Sequence, residues 1–169
     1  MHELEQLVLS RNLPLMVCGD FNSPPNSSVY ELCSTRTVDP AHQDLQSDAC
    51  HVLPPAEHIT HELDLASVYH TVTGEEPLFT NFTVGFKGSL DYLWHTPSSL
   101  RPLAVVPVPD EDTLRTAGEA LPNCLYSSDH ILLCADMQLG GSTGAEIAAV
   151  NNGVPSPAKP PPLAARRGR

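Results

Sequence analysis

Over the first eleven residues the apolar positions Leu4, Leu7 and Val8 recur at helical spacing among polar neighbours, which predicts a helix over residues 2–11 closed by Asn12. The pattern then changes. Residues 13–18 form a nearly continuous apolar run, broken only by Pro14 near its start. That run predicts a buried strand, since proline is tolerated where a strand begins. Helix, short turn and buried strand make half of an α/β unit. Ser27 is placed to cap a short helix over 28–33, with Glu31 positioned for the reciprocal bond of a capping box.

Further on the signals are shorter. Residues 36–62 are polar and rich in His, Asp and Pro, and predict a long connection of a length unusual inside a compact domain. Residues 63–69 fit a helix end or a strand. Strands are expected over 79–84, 90–94, 103–108 and 131–137, with a turn at 85–88 and a helical turn over 110–115. No internal repeat is visible.

Composition divides this pattern in two. The chain is 41% hydrophobic, enough for a core. Residues 139–169, however, are Gly-, Ala- and Pro-rich and offer few bulky apolar groups to offset ordering entropy. The expectation is a folded unit over 1–138 and a flexible tail over 139–169. The tail holds Lys159, Arg166, Arg167 and Arg169 but only Glu146 among acids, leaving five basic against nineteen acidic residues elsewhere, a net of −14. Such a charge argues against broad nucleic-acid binding through phosphate neutralisation and fits an acidic pocket that collects divalent cations. Cys18 and Cys134 sit in apolar runs and are expected to be buried thiols. An odd cysteine count without CxxC points away from a disulfide framework and toward a reducing compartment, cytoplasmic or also nuclear. No apolar stretch reaches membrane-spanning length, so no membrane partner is expected.

Three stretches carry candidate chemistry. Gly19-Asp20-Phe21-Asn22 follows a buried strand, and strand ends are where α/β folds bind ligands. There Asp20 can accept a proton from water and Asn22 can donate to a phosphoryl oxygen. An Asx-turn is the plainer use of the same pair. Asp91, between Leu90 and Tyr92 in an apolar strand, is costly without a partner, and an imidazole is the natural one. Asp129 and His130 stand at the threshold of the last strand, where His130 beside Asp91 would be a cationic donor to phosphate. Phe86, between Gly85 and Gly88 on a turn, is free to stack on a base or to fold back on the sheet. A zinc site from Cys50, His51, His58 and His61 is the competing metal reading, with a spacing that fits no standard pattern.

The order Gly-Asp-Phe-Asn, Leu-Asp-Tyr (90–92), Ser-Asp-His (128–130) resembles the endonuclease/exonuclease/phosphatase superfamily, the DNase I-like fold. The run from Phe79 to Tyr92 is similar to the CCR4-type poly(A) deadenylases, and Leu121-Pro122-Asn123 is shared with the Angel and 2′-phosphodiesterase branches. The resemblance implies part of a four-layer α/β sandwich, about its C-terminal half. It implies a 3′-to-5′ exoribonuclease acting on single-stranded poly(A), with Mg²⁺ (or Mn²⁺) as cofactor and deadenylase complex subunits as partners. In that scheme Asp20, Asn22, Asp91 and His130 are catalytic, Asp129 helps hold the metal, and Asn81 and Phe86 bind the 3′-terminal nucleotide. Family members place their principal metal-binding Glu well before the Gly-Asp-Phe-Asn strand. Only 19 residues precede Asp20 here, so the chain is expected to be a fragment without activity of its own. The alternatives are a superfamily phosphodiesterase for 2′,5′-oligoadenylate or cyclic-phosphate RNA ends, and a non-catalytic half-domain that serves as an interaction module.

Overall fold

The computed structural model describes residues 2–46 and 59–140. Cys50, His51 and His58 of the zinc reading, and all but the first two residues of the expected tail, lie outside them.

Helix α1 (His2–Arg11) ends where Asn12 turns into the left-handed region at φ 49°, and Leu13 N–H closes the turn on the Val8 carbonyl at 3.0 Å. Strand β1 (Met16–Asp20) follows. Helix α2 (Ser28–Thr35) is capped by Ser27, whose hydroxyl accepts the Tyr30 N–H. The expected reciprocal bond from Glu31 is not made. Ser27 N–H donates to the Pro24 carbonyl instead, and the Glu31 carboxylate accepts the Asp39 N–H. The long connection contains a helical turn, α3 (Gln43–Gln46), and is pinned by a bridge between Thr37 and Thr60.

Residues 63–69 resolve into both of the expected forms, a two-residue strand β2 (Ala66–Ser67) running into helix α4 (Val68–Thr73). A hairpin, β3 (Asn81–Phe82) and β4 (Lys87–Gly88), precedes β5 (Asp91–His95). Then come β6 (Leu100–Val105), α5 (Glu111–Arg115) and β7 (Ala135–Leu139). The strands expected over 103–108 and 131–137 thus each sit a few residues from where the apolar run placed them. Residues 129–131 are tied instead to 80–82 by short backbone bonds, Ile131 N–H to Thr80 at 2.7 Å and Phe82 N–H to Asp129 at 3.1 Å.

The main sheet has the order β1-β5-β2, antiparallel throughout. Val17 lies opposite Trp94 and Gly19 opposite Tyr92. This face packs with Val8, Cys33, Leu63 and Leu65 into the first core. Cys18 opposite Leu93 and Asp20 opposite Asp91 share the other face, because successive side chains alternate. Met16 and Cys18 on that face are exposed. The expectation of a strand buried on both faces is therefore corrected: among the described residues only one face of β1 is covered. Cys134 is also exposed rather than buried. A second core, of Phe79, Phe82, Leu114, Leu121 and Ile131, holds the hairpin against α5 and the approach to β7.

Candidate active site

The β1–β5 register decides the chemistry. It sets Asp20 directly opposite Asp91, with both side chains on the open face of the sheet. Like charges opposed across a ladder destabilise it. A hydrogen-bond donor set among them offsets this, and His130 occupies that place. Its Nδ1 lies 2.8 Å from Asp91 Oδ2, and its Nε2 lies 3.9 Å from Asp20 Oδ2. The carboxylate is an acceptor only, so Nδ1 carries the hydrogen and Nε2 faces Asp20. The Asp91 hydrogen bond is the largest influence and raises the His130 pKa above its ordinary value; burial opposes it, and the charges of Asp91, Asp20 and Asp129 add smaller upward pushes.

Asp20 serves two neighbours. One oxygen accepts the Asn22 N–H at 2.8 Å, the Asx-turn that its sequence allowed. The other faces His130. This local bond holds Asn22 in the left-handed region at φ 48°, which asparagine tolerates better than most residues.

Asp91 is held from beneath by Thr80, a residue to which the sequence reading gave no role. Thr80 is fully buried. Its hydroxyl donates to Asp91 Oδ2 at 2.5 Å and accepts the N–H groups of Leu90 and Asp91 at 2.9 and 3.0 Å. No local pattern marked it, since a hydroxyl that accepts and donates at once is recognised only beside its partners. His130 is delivered by a braced loop. Asn123 accepts the Leu125 and Tyr126 N–H groups with its side-chain oxygen, and Ser128 accepts the His130 N–H.

The remaining candidates stand around this trio. Asn81 is buried, pairs its backbone with His130, and donates its amide to Asp129 at 3.3 Å. Phe86 sits on the β3–β4 turn, 44% exposed, with its ring resting over Gly88, where a Cβ would come within 2.9 Å of it. It folds toward the hairpin yet keeps nearly half its surface open. His61 is buried and bonds the Leu32 carbonyl at 2.9 Å, a structural role.

Asp20, Asp91 and His130 each bring a ligand atom within 4.8 Å of the others. The donor set suits a hard cation only in part. Asp91 Oδ2 is occupied by Thr80 and His130, which leaves its other oxygen and the exposed Asp20 as the carboxylate donors of this group. Magnesium is commonly held by one or two carboxylates together with substrate phosphates and water, so these two residues fit it as a partial ligand set.

The chain matches the Endonuclease/Exonuclease/phosphatase family over residues 1–130. It is 37% identical over 153 residues to the carbon catabolite repressor protein 4 homolog 1 of Arabidopsis thaliana, a match covering 80% of this chain and 25% of that protein. It is 37% identical over 137 residues to the CCR4-Not complex 3′-5′-exoribonuclease subunit Ccr4 of Aspergillus clavatus, covering 81% and 20%. Among solved structures it superposes on ANGEL2, a 2′,3′-cyclic phosphatase, in complex with adenosine-2′,3′-vanadate, with TM-score 0.58 and 25% identity over 75% of this chain and 45% of that one. It also superposes on the human Nocturnin catalytic domain with bound sulfate, with TM-score 0.51 and 23% identity, covering 82% and 37%. The expected DNase I-like fold is thus met, in part of its extent. The chain spans about a quarter of the length of the curated relatives it matches.

Proposed function

This chain belongs to the endonuclease/exonuclease/phosphatase family, and from that premise we propose that its acid–imidazole cluster serves a metal-dependent 3′-to-5′ exoribonuclease that shortens poly(A) and releases 5′-AMP. The observation that carries the reading is the opposition of Asp20 and Asp91 with His130 between them, at 3.9 and 2.8 Å.

Asp20, with one oxygen free of its turn, orients the attacking water and accepts its proton. Asn22 donates its side-chain amide to a non-bridging phosphoryl oxygen. His130, held as a donor by Asp91, turns Nε2 toward the charge that grows on the phosphorus oxygens. Thr80 keeps Asp91 from swinging away. Asn81 and Phe86 position the 3′-terminal nucleotide, the ring by stacking on its base. Asp129 and Asp20 would hold a Mg²⁺ or Mn²⁺ ion, which supplies charge neutralisation at the phosphoryl and leaving oxygens. The Aspergillus relative is named as a CCR4-Not subunit, which supports deadenylase complex subunits as partners; the compartment proposed with them is the cytoplasm, or also the nucleus. No helix among the described residues is long and apolar enough to cross a membrane.

A domain exchange tests this. Residues 1–140 are substituted for the matching segment of the Aspergillus Ccr4, and the product is given 5′-labelled oligo(A) with Mg²⁺. A ladder of 3′-shortened products is expected, reduced about 10²-fold or more by Asp20→Ala or His130→Ala. A well-folded exchange protein that leaves oligo(A) intact but opens 2′,3′-cyclic phosphate ends would replace the reading with the chemistry named for ANGEL2.

A further inference from the structure

A hollow of about 490 Å³ opens beside Asn22, between the start of α2 and the turn of α3. Its volume is within the range of roughly 300–1,000 Å³ typical of small-ligand clefts. Asn22, Pro24, Asn26, His42, Gln43 and Asp44 line it with two serines. Its far wall is fixed. The Asp44 N–H donates to His42 Nδ1 at 3.1 Å, so His42 Nε2 carries the hydrogen and donates to the Asn26 carbonyl at 3.2 Å. Asp44 in turn accepts the Ser28 N–H at 2.8 Å, a bond that lowers its carboxyl pKa and keeps it anionic.

Two features define what such a hollow accepts. Among the described residues no lysine or arginine lines it and one carboxylate does, a lining that disfavours phosphate. The side-chain amides of Asn22, Asn26 and Gln43 have no hydrogen-bond partner among the described residues, so three groups that each donate and accept are free on its walls. An uncharged, hydrogen-bonding ligand with a flat face suits this lining, and Pro24 gives the face an apolar surface. Asn22 lines this hollow and gives its N–H to Asp20 of the acid–imidazole cluster, so a ligand here would lie next to that cluster.

Resting on the phosphodiesterase reading above, we infer that the hollow is a nucleoside subsite next to the scissile phosphate, in which Asn26 and Gln43 read the edge of an adenine. Amides pair with adenine in two-bond fashion through N6 and N7. The adenylate preference then comes in part from these two amides and not only from Phe86.

The test uses the whole 169-residue chain, ¹⁵N-labelled, with Mg²⁺ and the dinucleotide ApA, and UpU for comparison. The side-chain NH₂ signals of Asn22, Asn26 and Gln43 and the ring signals of His130 are followed. ApA is expected to move all four groups with one affinity. Asn26→Ala and Gln43→Ala each weaken ApA about tenfold while leaving the other backbone signals in place, and UpU binds more weakly than ApA. If ApA moves Asn22 and His130 but not Asn26 and Gln43, the subsite is wrong and the catalytic reading stands. If UpU matches ApA, the adenine assignment is wrong. If ApA moves none of the four at millimolar concentration, the inference and the reading beneath it both fail.

Discussion

Incubated with Mg²⁺ and 5′-labelled oligo(A), the 169-residue chain by itself is expected to leave the RNA at full length. The cluster explains this. Asp91 is engaged by Thr80 and His130, and one oxygen of Asp20 by its own turn. Among the described residues Asp20, Asp91 and His130 are the one group of three metal-capable side chains, and the glutamate that the family resemblance supplies has no counterpart beside them. Carboxylates spared for a cation are therefore few. The face that carries the cluster is also open, with Met16 and Cys18 exposed on it. Water there keeps the dielectric high and weakens each charge–dipole contact that would stabilise the transition state. Losing the metal and the dry wall together lowers the rate by at least about 10³-fold relative to the exchange protein. A ladder from the chain alone, abolished by Asp20→Ala, would overturn this.

Trp94→Ala is expected to remove a large part of the protein's stability. The indole is 1% exposed in the first core. It packs against Tyr30 at 5.2 Å and Tyr92 at 5.6 Å between ring centroids. Truncating a buried aromatic costs about 3–5 kcal/mol, against a total stability of about 5–15 kcal/mol for an ordinary domain. The loss also reaches the site, because Trp94 and Asp91 share β5. Trp94→Phe costs far less. It keeps a ring between the two tyrosines and removes an indole N–H that is buried without a described partner. Urea unfolding followed by far-ultraviolet circular dichroism reads both variants. An unchanged midpoint for alanine, or equal losses for the two, contradicts this account of the core.

Much of the site was legible in the sequence because its residues violate local rules. An aspartate inside Leu-Asp-Tyr-Leu-Trp demanded a partner, and His130 is that partner. The Asp20–Asn22 pair was ambiguous between a turn and chemistry; one carboxylate oxygen makes the turn and the other faces His130. Other features were hidden for physical reasons. An apolar run such as residues 13–18 does not say whether one sheet face or both are covered, and the exposure of Met16 and Cys18 is set by layers far away in sequence. Residues 131–134 look strand-like from their apolar content, yet the neighbouring bonds at 129–131 go to 80–82, and regular pairing with β6 begins only at Ala135. Thr80 was invisible because a buried hydroxyl acquires meaning only once Asp91 lies beside it. The register opposing Asp20 and Asp91 depends on long-range pairing that no local pattern encodes.

The central claim is that Asp91 and Asp20 hold His130 as a cationic donor. Nuclear magnetic resonance titration of the His130 ring, in chelator to exclude metal, tests it most directly by comparing the protein with its Asp91→Asn variant. In the parent, the His130 pKa lies above its ordinary value of about 6.5. The stabilisation this brings is fully present below the unfolded-state pKa and fades as pH rises through the folded one. Asp91→Asn is predicted to bring the midpoint down toward the ordinary value and to remove that pH dependence of stability. An identical midpoint in the two proteins would contradict the account.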